Sequence, residues 1–162
     1  MLVLDLENDR LLAPSNATPE LAVVDLKSGE SKVIATPGIQ SAAAVAYDPK
    51  KDLAFIAGQA TDNVLIVSVA EGRVLHDVET GAGALYVTYD PVSELAFVGN
   101  RGAGTITAVS ADGEVKANLK VGSFPNQLLA DGKGTVWAVN KSAGENDESG
   151  DKIWKITPKA AQ

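Results

Sequence analysis

The chain has 162 residues, with 14 Lys and Arg against 21 Asp and Glu, one His and no Cys, for a net charge of −7. The absence of cysteine excludes disulfides and thiolate metal sites while leaving the redox compartment open, and the acidic balance argues against a surface that tracks nucleic-acid phosphates. The charge is uneven: residues 1–100 hold six Lys and Arg against fourteen Asp and Glu, residues 101–162 eight against seven, so an anionic partner would prefer the second half.

Taken from the start, Met1-Leu2-Val3-Leu4 runs at once into Asp5, Glu7, Asp9 and Arg10, which breaks any signal-peptide core. No apolar run approaches the roughly 20 residues that a membrane-spanning helix requires. Further on, Tyr47-Asp48-Pro49 leads into Leu53-Ala54-Phe55-Ile56, and the same pattern returns 42 residues later as Tyr89-Asp90-Pro91 and Leu95-Ala96-Phe97-Val98. A period near 42 matches one four-stranded blade of a β-propeller, a unit that cannot bury both faces of its sheet alone.

Innermost strands are predicted over residues 2–6, 42–47, 85–89 and 127–130. Ala42 to Ala46 alone suits a helix, but its register with Leu85-Tyr86-Val87-Thr88 specifies a strand. Asp-led turns follow, with Pro49 and Pro91 fixing φ at the first turn position; the first unit offers Leu6-Glu7-Asn8-Asp9 in place of Tyr-Asp-Pro. Second strands are predicted over 11–13, 53–57, 95–99 and 135–139, placing Phe55, Phe97 and Trp137 at one recurring position expected to pack between neighbouring sheets. Third strands are predicted over 21–26, 64–69, 105–110 and 152–157, the first three ending in Gly-containing hairpin turns. Outer strands over 31–35, 73–78 and 114–121 carry the charges an edge tolerates. After Ile156 only a short tail containing Pro158 remains, so the last blade is expected to lack its outer strand. The whole is an all-β domain over residues 1–162, a partial propeller of four blades at approximately 2–41, 42–84, 85–126 and 127–162.

One face of such an array gathers the loops between second and third strands and those leading into the next inner strand. Gln40, Asn100, Arg101, Asn126, Asn140 and Lys141 lie in or beside these loops and can donate to an anionic or amide-rich ligand. Phe124 is the one ring in a loop, and beside Arg101 it suits stacking on a base or sugar; the alternative is that it plugs between blades while Asn and Gly supply turns. No nucleophile elbow accompanies His76, which falls on an outer strand away from these loops, so no triad and no catalytic residue is expected. The acidic insertion at Glu145-Asn146-Asp147-Glu148 lacks the spacing of an EF-hand loop. Neither a metal nor a cofactor is expected.

The units from Ala42 to Asn126 resemble the YVTN β-propeller repeats of YncE-like proteins. The resemblance rests on Tyr89-Asp90-Pro91, Leu95-Ala96-Phe97-Val98-Gly99-Asn100, Thr105-Ile106-Thr107-Ala108-Val109 and Val121-Gly122-Ser123-Phe124-Pro125-Asn126. It implies a seven-bladed, WD40-like ring of roughly 300 residues at about 42 per blade, of which this chain would be the C-terminal four blades. It also implies a periplasmic or cell-surface location and a non-enzymatic binding scaffold. A lactonase-like hydrolase and a single-stranded nucleic-acid binder are the alternatives. An open array leaves apolar faces and strand edges bare, so self-association or pairing with the missing blades is expected.

Overall fold

The structure is a computed structural model that describes residues 1–158, among which there are fifteen strands and no helix. The first sheet comprises β1 (Val3–Asp5), β2 (Arg10–Pro14), β3 (Glu20–Asp25) and β4 (Ser31–Ala35). The second comprises β5 (Ala42–Asp48), β6 (Leu53–Gly58), β7 (Asn63–Ser68) and β8 (Arg73–Glu79). The third comprises β9 (Ala84–Asp90), β10 (Leu95–Asn100), β11 (Thr105–Ser110) and β12 (Val115–Lys120). The fourth comprises β13 (Pro125–Ala130), β14 (Val136–Asn140) and β15 (Ile153–Ile156), with no outer strand among the described residues. Strands within each sheet follow chain order and pair antiparallel. Successive inner strands lie side by side, β1 against β5, β5 against β9 and β9 against β13. This is the all-β partial propeller that the repeat predicts.

Period-two alternation sends one set of side chains forward to the next sheet and the other back to the preceding one. Leu12, Leu21 and Val23 of the first sheet meet Val45, Ile56 and Leu65 of the second. From the second sheet's other face, Phe55, Val64 and Ile66 meet Val87, Ala96 and Val98. Phe97, Ile106 and Ala108 then meet Leu128, Val136 and Ala138 of the fourth sheet. The five-residue run from Ala42 is a strand because both its faces are enclosed, and that burial overrides the helical propensity of alanine.

Trp137 departs from expectation. It holds the register of Phe55 and Phe97, opposite Leu129 on β13 as those are opposite Ala46 and Thr88, yet it is 40% exposed where they are 0% and 2%. The position always points forward, and no described sheet follows the fourth. The first unit differs in register too. Asp5, Asp48 and Asp90 each close an inner hairpin, opposite Arg10, Leu53 and Leu95. Each is followed by a four-residue turn whose last member, Asp9, Asp52 or Glu94, has φ of 50°, 52° or 56°. The counterpart of Tyr-Asp-Pro is therefore Leu4-Asp5-Leu6, not Leu6-Glu7-Asn8-Asp9. Leucine standing for both tyrosine and proline hid the match.

A polar seam joins the sheets at these turns. Arg10 donates to Asp5 at 2.6 Å, to Asp52 at 2.7 Å and to the Tyr47 hydroxyl at 2.8 Å, and that hydroxyl donates to Asp52 at 2.6 Å. Burial opposes ionisation of Asp5, but hydrogen bonds from Arg10 and Asn8 outweigh it and hold its pKa below the ordinary value. Tyr89 repeats the position of Tyr47 one sheet on. Burial and the neighbouring Asp48 carboxylate push its pKa up, and its ring stacks on Phe55 with centroids 5.6 Å apart. In the fourth sheet the same register holds Ala130, opposite Val136; Asp48 Oδ2, the Tyr89 hydroxyl and Asp90 Oδ1 are each buried with no hydrogen-bond partner.

Candidate functional site

The loop face is built by a backbone device that recurs in three sheets. Ser41, Gly83 and Phe124, the residues entering the inner strands, have φ of 51°, 70° and 40°. Each turns its carbonyl onto the amide that opens the loop after the second strand: Gln59 at 3.2 Å, Arg101 at 2.8 Å and Lys141 at 3.0 Å. Glycine adopts this left-handed conformation freely, whereas a side chain costs about 1–2 kcal/mol there. Phe124 is the most constrained of the three, being bulky and followed by Pro125, which itself restricts the preceding residue.

The ring thus held lines a groove of about 310 Å³ between the third and fourth sheets, together with Arg101, Lys120, Gly122, Ser123 and Ser149. Arg101 lies over the ring, its guanidinium carbon 5.0 Å from the centroid. Its Nε is buried without a hydrogen-bond partner, and among the described residues it closes no ion pair. Lys120 and Lys141 likewise pair with no carboxylate there. The two loops approach so closely that a Cβ on Gly104 would stand 2.6 Å from the Gly122 carbonyl oxygen, and one on Gly122 2.8 Å from Ser149 Cβ. Glycine at these two positions is what lets the neighbouring segments pack against one another.

The other sequence-predicted residues separate into different roles. Asn100 and Asn140 are buried, and their amides tie the structure internally. Asn100 Nδ2 donates to Thr105 Oγ1 at 3.0 Å and Thr107 Oγ1 at 2.8 Å, while Asn140 Nδ2 donates to the Val121 carbonyl at 2.6 Å. The Oδ1 of each is buried without a partner. Lys141 is exposed next to the groove, joined to it through the Phe124 carbonyl. Asn126 is half-buried at the irregularity in the β13–β14 pairing. Gln40 lies apart, in a separate cleft with Asn16, Thr18 and Ser41 between the first and second sheets. Lys120 and Ser149 escaped the sequence reading. Lys120 ends an outer strand and resembles any edge charge, while Ser149 arrives from the acidic insertion, 26 residues from the Ser123 it bonds.

That insertion is folded by its own acid. The amide of Ala143 and the hydroxyls of Ser123 and Ser149 hold the Asp147 carboxylate well below the usual range, with Ala143 N at 2.8 Å and Ser149 Oγ at 2.8 Å. Among the described residues no group of three His, Asp or Glu is placed to hold a metal ion. The largest cleft, about 810 Å³, opens on the opposite face with His76, Lys51, Glu94, Asp112 and Lys116 around it. Its charges answer one another, Lys50 and Lys51 on Glu94 and Lys116 on Glu114. The groove along the inner strands, about 240 Å³, is lined by residues of β1, β5, β9 and β13, among them Val45, Tyr86 and Leu128.

No protein-family model matches this chain, and no curated protein matches it in sequence. Among solved structures it is similar to a chain of hydrazine synthase from Kuenenia stuttgartiensis, with a TM-score of 0.84 at 14% identity over 96% of this chain and 45% of that one. It is also similar to U3-55K, with a TM-score of 0.72 at 11% identity over 86% of this chain and 45% of that one. The WD40 repeats of RRP9 match with a TM-score of 0.71 at 10% identity, over 85% and 43%. The chain thus spans less than half the length of each of these three structures. At these identities the likeness establishes the fold, a propeller of WD40 type, and leaves activity to the residues.

Proposed function

We propose that this chain is a non-enzymatic binding scaffold of the YncE-like kind, one domain whose loop face takes an anionic group presented by a protein partner in the periplasm or at the cell surface. The observation that carries this reading is Arg101: a guanidinium stacked on a ring, with a buried unpartnered N–H and no carboxylate of its own. The half-buried side chain lines the groove, where a carboxylate can reach the rest of the guanidinium. Lys120, in the groove lining, and Lys141 beside it extend the positive field. The strain at Phe124 supports the same reading, since sparsely populated backbone conformations gather at ligand clamps.

The test is isothermal titration with a tetraglutamate peptide and, separately, inorganic phosphate. Saturable binding of the peptide is expected, weakened at least tenfold in Arg101→Ala while the melting temperature of that variant stays close to the parent's. Failure of the peptide to bind, or equal binding by Arg101→Ala, would overturn the proposal. Binding of phosphate alone would redirect it to a free anion. A labelled single-stranded oligonucleotide at low salt is expected not to bind, and salt-sensitive binding would favour the nucleic-acid alternative instead.

A further inference from the structure

Two half-buried serines line the Arg101 groove from different segments, Ser123 from the loop that enters β13 and Ser149 from the acidic insertion. Their hydroxyl oxygens lie 2.7 Å apart, and the direction of that hydrogen bond is fixed by what stands behind it. Ser149 Oγ is 2.8 Å from Asp147 Oδ1. An ionised carboxylate only accepts and a hydroxyl has one proton to give, so the Ser149 proton goes to Asp147. Ser149 Oγ then accepts twice from Ser123, from the hydroxyl at 2.7 Å and from the backbone amide at 3.1 Å. Amides of Ala143 and Ser149 also donate to the carboxylate, at 2.8 Å and 2.9 Å, and together these bonds keep it ionised. Both serine protons are therefore drawn towards Asp147, which stands outside the groove lining. Ser123 Oγ is left with its lone pairs unclaimed among the described residues.

From this relay we infer that Asp147 sets the groove to accept a hydrogen bond at Ser123 Oγ beside the cation of Arg101, so that the ligand is a carboxylate carried next to an N–H donor, as in an acidic peptide. The inference rests on the reading of Arg101 as an anion site and adds the second group that the anion carries. A fully deprotonated oxyanion such as sulfate offers only lone pairs, and against Ser123 Oγ it meets oxygen with no proton between them. A peptide brings backbone N–H groups close to each side-chain carboxylate, so one segment can satisfy Arg101 and Ser123 together. A site built to accept a donor discriminates against ligands that lack one. Asp147 is a positioning residue in this scheme, acting through the two hydroxyls without touching the ligand.

Isothermal titration of the parent, Ser123→Ala and Asp147→Asn with the tetraglutamate peptide and with sulfate, at constant ionic strength, tests this. Ser123→Ala is expected to weaken peptide binding by about threefold or more, the loss of one hydrogen bond, and to leave sulfate binding as it is in the parent. In Asp147→Asn the side-chain amide can donate to Ser149, letting both hydroxyls turn round, so sulfate affinity is expected to rise while peptide affinity falls. Opposite responses separate the relay from its rivals, because removing a negative charge would raise both affinities and loosening the insertion would lower both. Two probes that move together in Asp147→Asn, or a peptide indifferent to Ser123→Ala, would overturn the inference. Peptide binding that depends on Arg101 but ignores Ser123 would overturn this inference alone, whereas equal binding by Arg101→Ala would overturn the anion site itself. If no probe binds, carbon-13 titration of the Asp147 carboxyl still decides the relay: its pKa is expected to rise in Ser149→Ala, and an unmoved titration would refute it.

Discussion

Arg10 joins two sheets through three oxygens, and two of its partners are carboxylates on opposite sides of the seam. Asp5 is buried, so removing the guanidinium strands a charge away from water. Arg10→Ala is expected to destabilise the fold by about 3 kcal/mol, the cost of orphaning one partner of a buried pair, measured by urea denaturation at neutral pH. The pH dependence follows from Asp5, whose folded pKa lies below its reference of 3.8. The folded state then binds fewer protons than the unfolded one, so this contribution is complete above about pH 4 and drains away as the pH falls through the folded value. Asp5→Asn should flatten that acid slope while lowering stability at neutral pH.

The forward-facing ring position tests how an element acquires its burial. Phe55, Phe97 and Trp137 share a register, but only the first two have a sheet in front of them. Phe97→Ala is expected to cost about 3–5 kcal/mol through cavity formation, whereas Trp137→Ala, assayed in dilute protein, should cost less than about 1 kcal/mol. Parallel denaturation curves for the two variants decide it. The strand order and nearly every strand were legible because Asp-led turns and apolar quartets recur at a fixed spacing. What the spacing does not encode is whether a neighbour exists to cover a given face, so Trp137 reads as core. The site was legible only in part. Arg101 and Phe124 stand out as a cation and a ring in facing loops, but the left-handed backbone at Phe124 has no residue-type signature, since glycine and serine hold that place elsewhere. Asn100 and Asn140 read as loop donors, yet their amides point into the protein at strand ends. The Arg10 seam was missed because its partners lie 5 and 42 residues away in a unit whose Tyr and Pro are both leucine.

At the scale of the whole molecule, three separate apolar clusters join four sheets in series, and no cluster links the first sheet to the fourth. Among the described residues only the second and third sheets are covered on both sides, and only in the second are two consecutive strands, β6 and β7, buried at every residue. Opening from either end therefore exposes less than opening from the middle, in the manner of a stack whose units hold only their neighbours. Backbone deuterium uptake is expected to run inward, fastest in β1 and β15 and slowest in β6 and β7; uniform uptake across all sheets would contradict it. A chain pulled by its ends would then shed one wedge at a time, each leaving a distinct step in the force trace, and the last wedge to let go would be the second.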